Sequence, residues 1–205
     1  MSFEAESEPS RTAIIERWRI FCAVELPHDV RARVAAHINS LREAMPAARA
    51  SWARAEALHI TLKFLGEIER ARVEALSEAA ARAAACVQAF ELVIENTGVF
   101  PPRGQARVLW LGVTDTSGVL SRLQQRLDEE CAREGFAREA RGFHPHLTLA
   151  RLRAPAEARG LAALHQEMEF ERAALTVNEL VVMRSELGAG GSRYTAISKH
   201  KLEGA

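Results

Sequence analysis

The chain lacks most of what commits a sequence to a membrane, an oxidising compartment or a charged polymer. Its three cysteines, Cys22, Cys86 and Cys131, are an odd number with no CxxC spacing. They fit reduced thiols in a cytoplasmic protein better than a disulfide framework. No apolar run is long enough to cross a bilayer. The N-terminus is acidic and polar (Glu4, Glu6, Glu8, Pro9, Ser10) and lacks the basic-then-apolar order of a signal peptide. Charge of one sign is missing too: Lys+Arg and Asp+Glu both number 27 among 205 residues. No global field therefore draws in nucleic acid or membrane, and anion binding must come from a local patch. Residues 1–16 read as a loosely ordered extension, and 17–205 as one domain of two closely packed lobes.

What is present is an ordinary globular composition, 48% hydrophobic and 26% charged. Trp18 to Leu26 reads as a buried strand ended by Pro27. Val30 to Met45 has helical spacing, with Asp29 as its cap. Ser51 to Ala53 suggests a short strand, and Leu58 to Leu65 a longer one stopped by Gly66. Alanine-rich Arg70 to Val87 predicts a helix. Phe90–Val99 and Ala106–Val113 read as strands around a turn holding Pro101, Pro102 and Gly104. Ser117 to Glu134 is an amphipathic helix, and a strand runs from His146 to about Leu152. Pro155–Glu167 predicts a helix; Phe170–Met183 and Arg193–Ile197 predict strands. Between these last two, Gly188 to Gly191 reads as a hairpin loop. It lacks the lysine and following helix of a triphosphate-binding loop.

One pattern occurs twice: His59-Ile-Thr61-Leu62 and His146-Leu-Thr148-Leu149, 87 residues apart (146 − 59). In a strand, residues i and i+2 share a face. His59 and Thr61 then share one face, with Ile60, Leu62 and Phe64 behind; His146 and Thr148 repeat this, with Leu147 and Leu149 behind. An apolar back with a polar front implies a mostly antiparallel sheet, open on one side. Two such fronts suggest two half-sites facing each other. Histidine titrates near 6.5, so the pair can supply one general base and one general acid. Threonine hydroxyls can donate to an anionic oxygen between them. A lone His-x-Thr is more often structural than catalytic; two copies in matched phase carry the inference.

Their contexts, Leu58-His-Ile-Thr-Leu-Lys-Phe-Leu-Gly-Glu67 and Phe143-His-Pro-His-Leu-Thr-Leu-Ala-Arg151, resemble the signature of the 2H phosphoesterase superfamily. Arg19–Pro27, Trp52, Arg107–Gly112 and Ser185–Tyr194 make the chain similar to its RNA 2′,3′-cyclic phosphodiesterase branch, also called the 2′-5′ RNA ligase family. The resemblance implies a bilobal α+β fold, with two mostly antiparallel sheets lining a central cleft, helices outside and lobes related by a pseudo-two-fold axis. It implies hydrolysis of an RNA terminal 2′,3′-cyclic phosphate to a 2′-phosphate, without metal or other cofactor. His59 and His146 become the catalytic pair, with His59 protonating the leaving 3′ oxygen and His146 activating water. Thr61, Thr148 and Arg151 become phosphate ligands. The expected partners are RNA ends or nucleotides bearing a cyclic phosphate, with no membrane, and a monomer is expected. The reverse of phosphodiester cleavage would give 2′-5′ ligation, disfavoured in dilute solution. The alternatives are a hydrolase of 2′-5′ oligonucleotides or small cyclic nucleotides, and a non-catalytic nucleotide-binding module.

Several further residues have two readings. Phe21 and Trp52 could stack on a base or sit in the core, and the core reading is preferred for Trp110. Lys63, on the face of His59, fits a phosphate contact or a rim salt bridge. Arg103 and Arg107 could line a nucleic-acid path or be placed by chance. His144 with His146 resembles a metal pair but lacks nearby carboxylates, so a structural or rim role is preferred. His28, His37, His165 and His200 read as surface residues.

Overall fold

Alternating strands and helices can build a parallel sheet, but here every strand pair is antiparallel. The computed structural model describes residues 15–153, 155–188 and 191–203. In chain order the elements are β1 (Arg17–Glu25), α1 (His28–Ala44), β2 (Ala50–Trp52), β3 (His59–Glu69), α2 (Val73–Ala85), β4 (Phe90–Phe100), β5 (Val108–Thr114), α3 (Val119–Arg133), β6 (His146–Leu152), α4 (Pro155–Glu167), β7 (Ala173–Val177), β8 (Glu179–Gly188) and β9 (Gly191–Lys201). One sheet has the order β3-β1-β8-β9 and the other β2-β6-β5-β4-β7. The two motif strands thus lie in different sheets, and β3 and β6 approach to within 8 Å between Cα atoms.

The pseudo-two-fold relation is visible in the pairing. β1-α1-β3-α2-β4 corresponds to β5-α3-β6-α4-β8. In each half the motif strand pairs with the strand that opens the half. The closing strand crosses over, so β4 pairs with β5 and β8 with β1. The linking helices cross over as well. α1 packs against α4 and β7 behind the second sheet, while α3 packs against α2 and β3 behind the first. The halves are therefore interlocked, and each sheet is covered by one helix from either half.

Burial follows from this exchange. Ile20, Cys22, Val24, Ile60, Leu62, Leu180 and Val182 face the helices from the first sheet, and Leu109, Leu111, Leu147 and Leu149 from the second. Each such side chain contributes about 1.5–3 kcal/mol on burial. The opposite face of the first sheet carries a separate apolar group of Phe21, Ala23, Val181 and Met183, with Tyr194 against it. That second face fronts the cleft.

Some expectations need correction. β3 does not stop at Gly66 but runs on to Glu69; Gly66 takes φ +70°, where the absence of a Cβ removes the strain, and the register with β1 shifts there. The expected strand Phe170–Met183 is two strands in different sheets, with the chain crossing at Asn178. Asp29 lies in the first turn of α1 but makes no side-chain cap. Cys22 and Cys131 are buried and Cys86 exposed, all three as free thiols. Of the expected extension 1–16, residues 1–14 lie outside the described residues, while Glu16 accepts hydrogen bonds from Trp18 and Arg70. Among the described residues no helix is long and apolar enough to cross a membrane.

Candidate active site

Both motif strands carry a β-bulge at the same place. Thr61 pairs with Ala23 and Lys63 with Cys22, leaving Leu62 without a partner. Thr148 pairs with Trp110 and Ala150 with Leu109, leaving Leu149 without one. The extra residue is the third after the histidine in each strand (62 − 59 and 149 − 146). A bulge shifts the phase of alternation, so side chains beyond it change faces. The burial strings agree: two successive residues are buried, then an exposed one follows, at Leu62-Lys63-Phe64 and at Leu149-Ala150-Arg151.

This corrects two expectations. Lys63 does not share the face of His59 and Thr61. It is 2% exposed, and its ammonium donates to Asp128 Oδ1 at 2.5 Å and to the Ala137 carbonyl at 2.8 Å. Burial works to raise the Asp128 carboxyl. Lys63, the Glu139 N–H and Arg138 outweigh it and hold the group below the ordinary carboxylate value. Phe64, expected at the back, is 57% exposed and its ring centroid lies 5.9 Å from that of Phe21. Phe21 in turn stacks 4.7 Å from His59. Arg151 is the counterpart of Phe64 in the other strand; it is exposed between Ser51 and Val108, with no side-chain partner among the described residues.

The imidazoles are held alike. His59 Nδ1 is 2.7 Å from the Ala57 carbonyl, and His146 Nδ1 is 2.7 Å from the His144 carbonyl. A carbonyl can only accept, so Nδ1 carries the proton in both rings and Nε2 is left with its lone pair. Neutral, Nε2 is a base; protonated, it is an acid. Burial first, and then the nearby His146, push the His59 pKa below its ordinary 6.5, while the Ala57 bond opposes them. Thr61 and Thr148 are half-buried, and neither hydroxyl has a partner among the described residues. Both hydroxyls are thus uncommitted donors.

Aromatic rings wall both histidines. Tyr194 meets His59 edge-on at 5.0 Å. Phe100 meets His146 edge-on at 5.0 Å, and Trp110 lies 6.4 Å from it. Trp110 therefore stands on the cleft face rather than in the core, as its pairing with Thr148 requires. Its indole crosses Gly98, where an added Cβ would come within 2.1 Å of the ring. Sequence reasoning missed Phe64, Phe100 and Tyr194; the bulge in β3 hid Phe64, and alternation along β4 and β9 could have offered Phe100 and Tyr194 only with the phase known.

Other expected residues lie elsewhere. Trp52 pairs with buried Ala150 and, half-buried, packs against the core. The side chain of His144 is exposed, and its backbone carbonyl orients His146. Among the described residues no three His, Cys, Asp or Glu side chains converge as a metal site needs. His37 and His165 are not surface residues but a buried pair, 3.5 Å apart between α1 and α4. Arg103 and Arg107 are exposed.

Comparison with known proteins agrees with this architecture. Residues 7–189 match the model of the 2′-5′ RNA ligase superfamily. A Methanothermobacter thermautotrophicus protein named RNA 2′,3′-cyclic phosphodiesterase is 34% identical over 90% of this chain and 98% of its own. The Escherichia coli K12 protein of the same name is 30% identical over 91% and 98%. A crystal structure from Thermus thermophilus superposes with a TM-score of 0.74 at 27% identity, covering 91% of this chain and 98% of that one. Escherichia coli LigT complexed with 3′-AMP superposes with a TM-score of 0.70 at 29% identity, covering 91% and 99%. The chain belongs to the 2′-5′ RNA ligase superfamily.

Proposed function

We propose that this protein hydrolyses the terminal 2′,3′-cyclic phosphate of RNA to a 2′-phosphate, using His59 as acid and His146 as base. The observation that carries the reading is the matched pair of Nδ1–carbonyl bonds, which leaves one Nε2 on each side of the cleft. In the reaction His146 Nε2 takes a proton from water as the water oxygen bonds to phosphorus. The bond from phosphorus to the 3′ oxygen breaks, and that oxygen takes the proton from His59 Nε2. Exchange with solvent then restores both rings. Thr61, Thr148 and Arg151 donate to the non-bridging oxygens, whose charge grows as water adds. The grouping of Phe21, Phe64 and Tyr194 around His59 supports a nucleoside bound on that side, which would bring the leaving oxygen to His59.

The names of the relatives support the substrate class. The same ring opening, with an RNA 5′-hydroxyl in place of water as the nucleophile, would form a 2′-5′ linkage. No metal or nucleotide cofactor enters the scheme. Phosphorus NMR of the product from an oligoribonucleotide with a cyclic end, in excess chelator, tests the reading. A 2′-phosphate is expected. A 3′-phosphate, or hydrolysis only after a divalent ion is restored, would contradict it.

A further inference from the structure

Behind the His146 half-site lies a buried titratable pair that the reaction scheme does not use. His165 on α4 is 0% exposed, and its Nε2 is 3.0 Å from the Trp110 carbonyl. Since the carbonyl can only accept, Nε2 carries the proton. Nδ1 then accepts, and the group facing it is His37 Nε2, at 3.5 Å. Burial holds both rings neutral, His37 down to about 4 and His165 below its ordinary value.

The place where this tie lands matters. Trp110 is the residue at which β5 loses register with β6, between Leu109 and Trp110. β4 has its own register shift nearby, between Glu95 and Thr97, with Asn96 at φ +61°. Irregular pairing leaves carbonyls without ladder partners, and a buried carbonyl needs a donor. On the opposite face of the same residues stand the Trp110 ring, seated on Gly98, and His146. Beyond the bulge stands Arg151.

We propose that His165 is a positioning residue for the second half-site. Its Nε2–H pins the Trp110 carbonyl and so holds the bulge that aims Thr148 and Arg151 with His146. It touches no substrate. A second buried polar anchor among the described residues, Asp128 with Lys63, has a related origin. Asp128 lies on α3 as His37 lies on α1, each 20 residues into its half (128 − 108 and 37 − 17). Each reaches behind the half-site of the other half of the chain.

The inference rests on the phosphodiesterase reading, and the test separates the two. Wild type, His165→Leu, His165→Gln and Leu161→Ala are assayed on adenosine 2′,3′-cyclic phosphate. Leu161 is a fully buried neighbour on α4 that makes no such tie. His165→Leu is expected to lower kcat by roughly ten- to a hundredfold, since a misplacement of about 1 Å has that effect. His165→Gln, which can still donate to the carbonyl, should regain most of it. Leu161→Ala should lower Tm with little change in kcat. Wild-type kcat in His165→Leu, or His165→Gln as impaired as His165→Leu, would overturn the proposal. Nitrogen NMR of wild type provides a check that holds even if His165→Leu fails to fold. A proton on His165 Nε2 coupled to the Trp110 carbonyl supports the tie, and a proton on Nδ1 overturns it. A wild type inactive on every cyclic phosphate would contradict the phosphodiesterase reading, while the NMR result would still decide the tie.

Discussion

Phe64 and Arg151 occupy the same place in the two half-sites. Each lies five residues after its histidine (64 − 59 and 151 − 146), and each follows a bulge two residues back. The machinery around them is matched, histidine for histidine and threonine for threonine. These positions differ, one apolar and planar, the other cationic. A substrate with a base at one end and a charged phosphate at the other then has one favoured orientation.

Phe64→Ala should raise KM for a nucleoside cyclic phosphate by roughly five- to a hundredfold, the worth of one base–aromatic stack, with kcat less affected. Arg151→Lys should instead lower kcat by roughly ten- to a hundredfold, because a point charge cannot replace the guanidinium fork on two oxygens. Steady-state kinetics of both variants check the split. Equal effects of both on KM alone would show that neither position orients the substrate.

The hydroxyls give a second prediction. Thr61→Val and Thr148→Val keep the β-branched shape that suits a strand but remove a donor. Each should lower kcat by roughly ten- to a thousandfold with a smaller change in KM, by analogy with oxyanion donors. Unchanged kinetics in both would reduce the threonines to strand formers.

A third prediction follows from the electrostatics of the pair. Burial and the proximity of His146 both disfavour charge on His59. Proton NMR should find His59 titrating below 6.5 in the free protein, and moving upward in His146→Gln, where one opposing charge is gone. Bound inorganic phosphate should move it upward as well, because an anion favours the imidazolium. In the complex this would prepare His59 to donate a proton. A His59 titration unaltered by His146→Gln would show that the rings do not sense each other. The limbs of the pH–rate profile belong to the coupled pair and do not assign either ring by themselves.

Lys63 supplies a fourth. Lys63→Met leaves the largely buried Asp128 carboxylate without its principal partner and should cost about 3–5 kcal/mol of stability. Lys63→Met combined with Asp128→Leu should recover most of that loss. Below the transition, kcat should stay near wild type in both. Chemical denaturation and kinetics together decide: a lowered kcat at unchanged stability would return Lys63 to the substrate.

Legibility in the sequence stopped where parity broke. His59, Thr61, His146 and Thr148 precede the bulges, so plain alternation placed them with their apolar backs. Lys63 and Phe64 follow a bulge, and the same rule put both on the wrong face. Nothing in Leu62 or Leu149 announces an unpaired residue, because the bulge arises from pairing with β1 and β5. Helical spacing revealed that α1 and α3 have apolar faces, yet it could not say which sheet covers them. The exchange between halves is a long-range choice, and it is what buried His37 and His165. Trp110 misled for a related reason: its strand is apolar on both faces, one against the helices and one against Phe100 and His146.

The central claim is that two imidazoles from opposite sheets act on one phosphorus. Its most direct test is product formation from an oligoribonucleotide with a 2′,3′-cyclic end, in excess chelator. Wild type, His59→Ala, His146→Ala and the double variant are compared, with circular dichroism confirming each fold. The account predicts a 2′-phosphate from wild type, near-complete loss of turnover in either single variant, and little further loss in the double variant, since acid and base serve one event. A folded His146→Ala or His59→Ala protein turning over at near wild-type rate would contradict it.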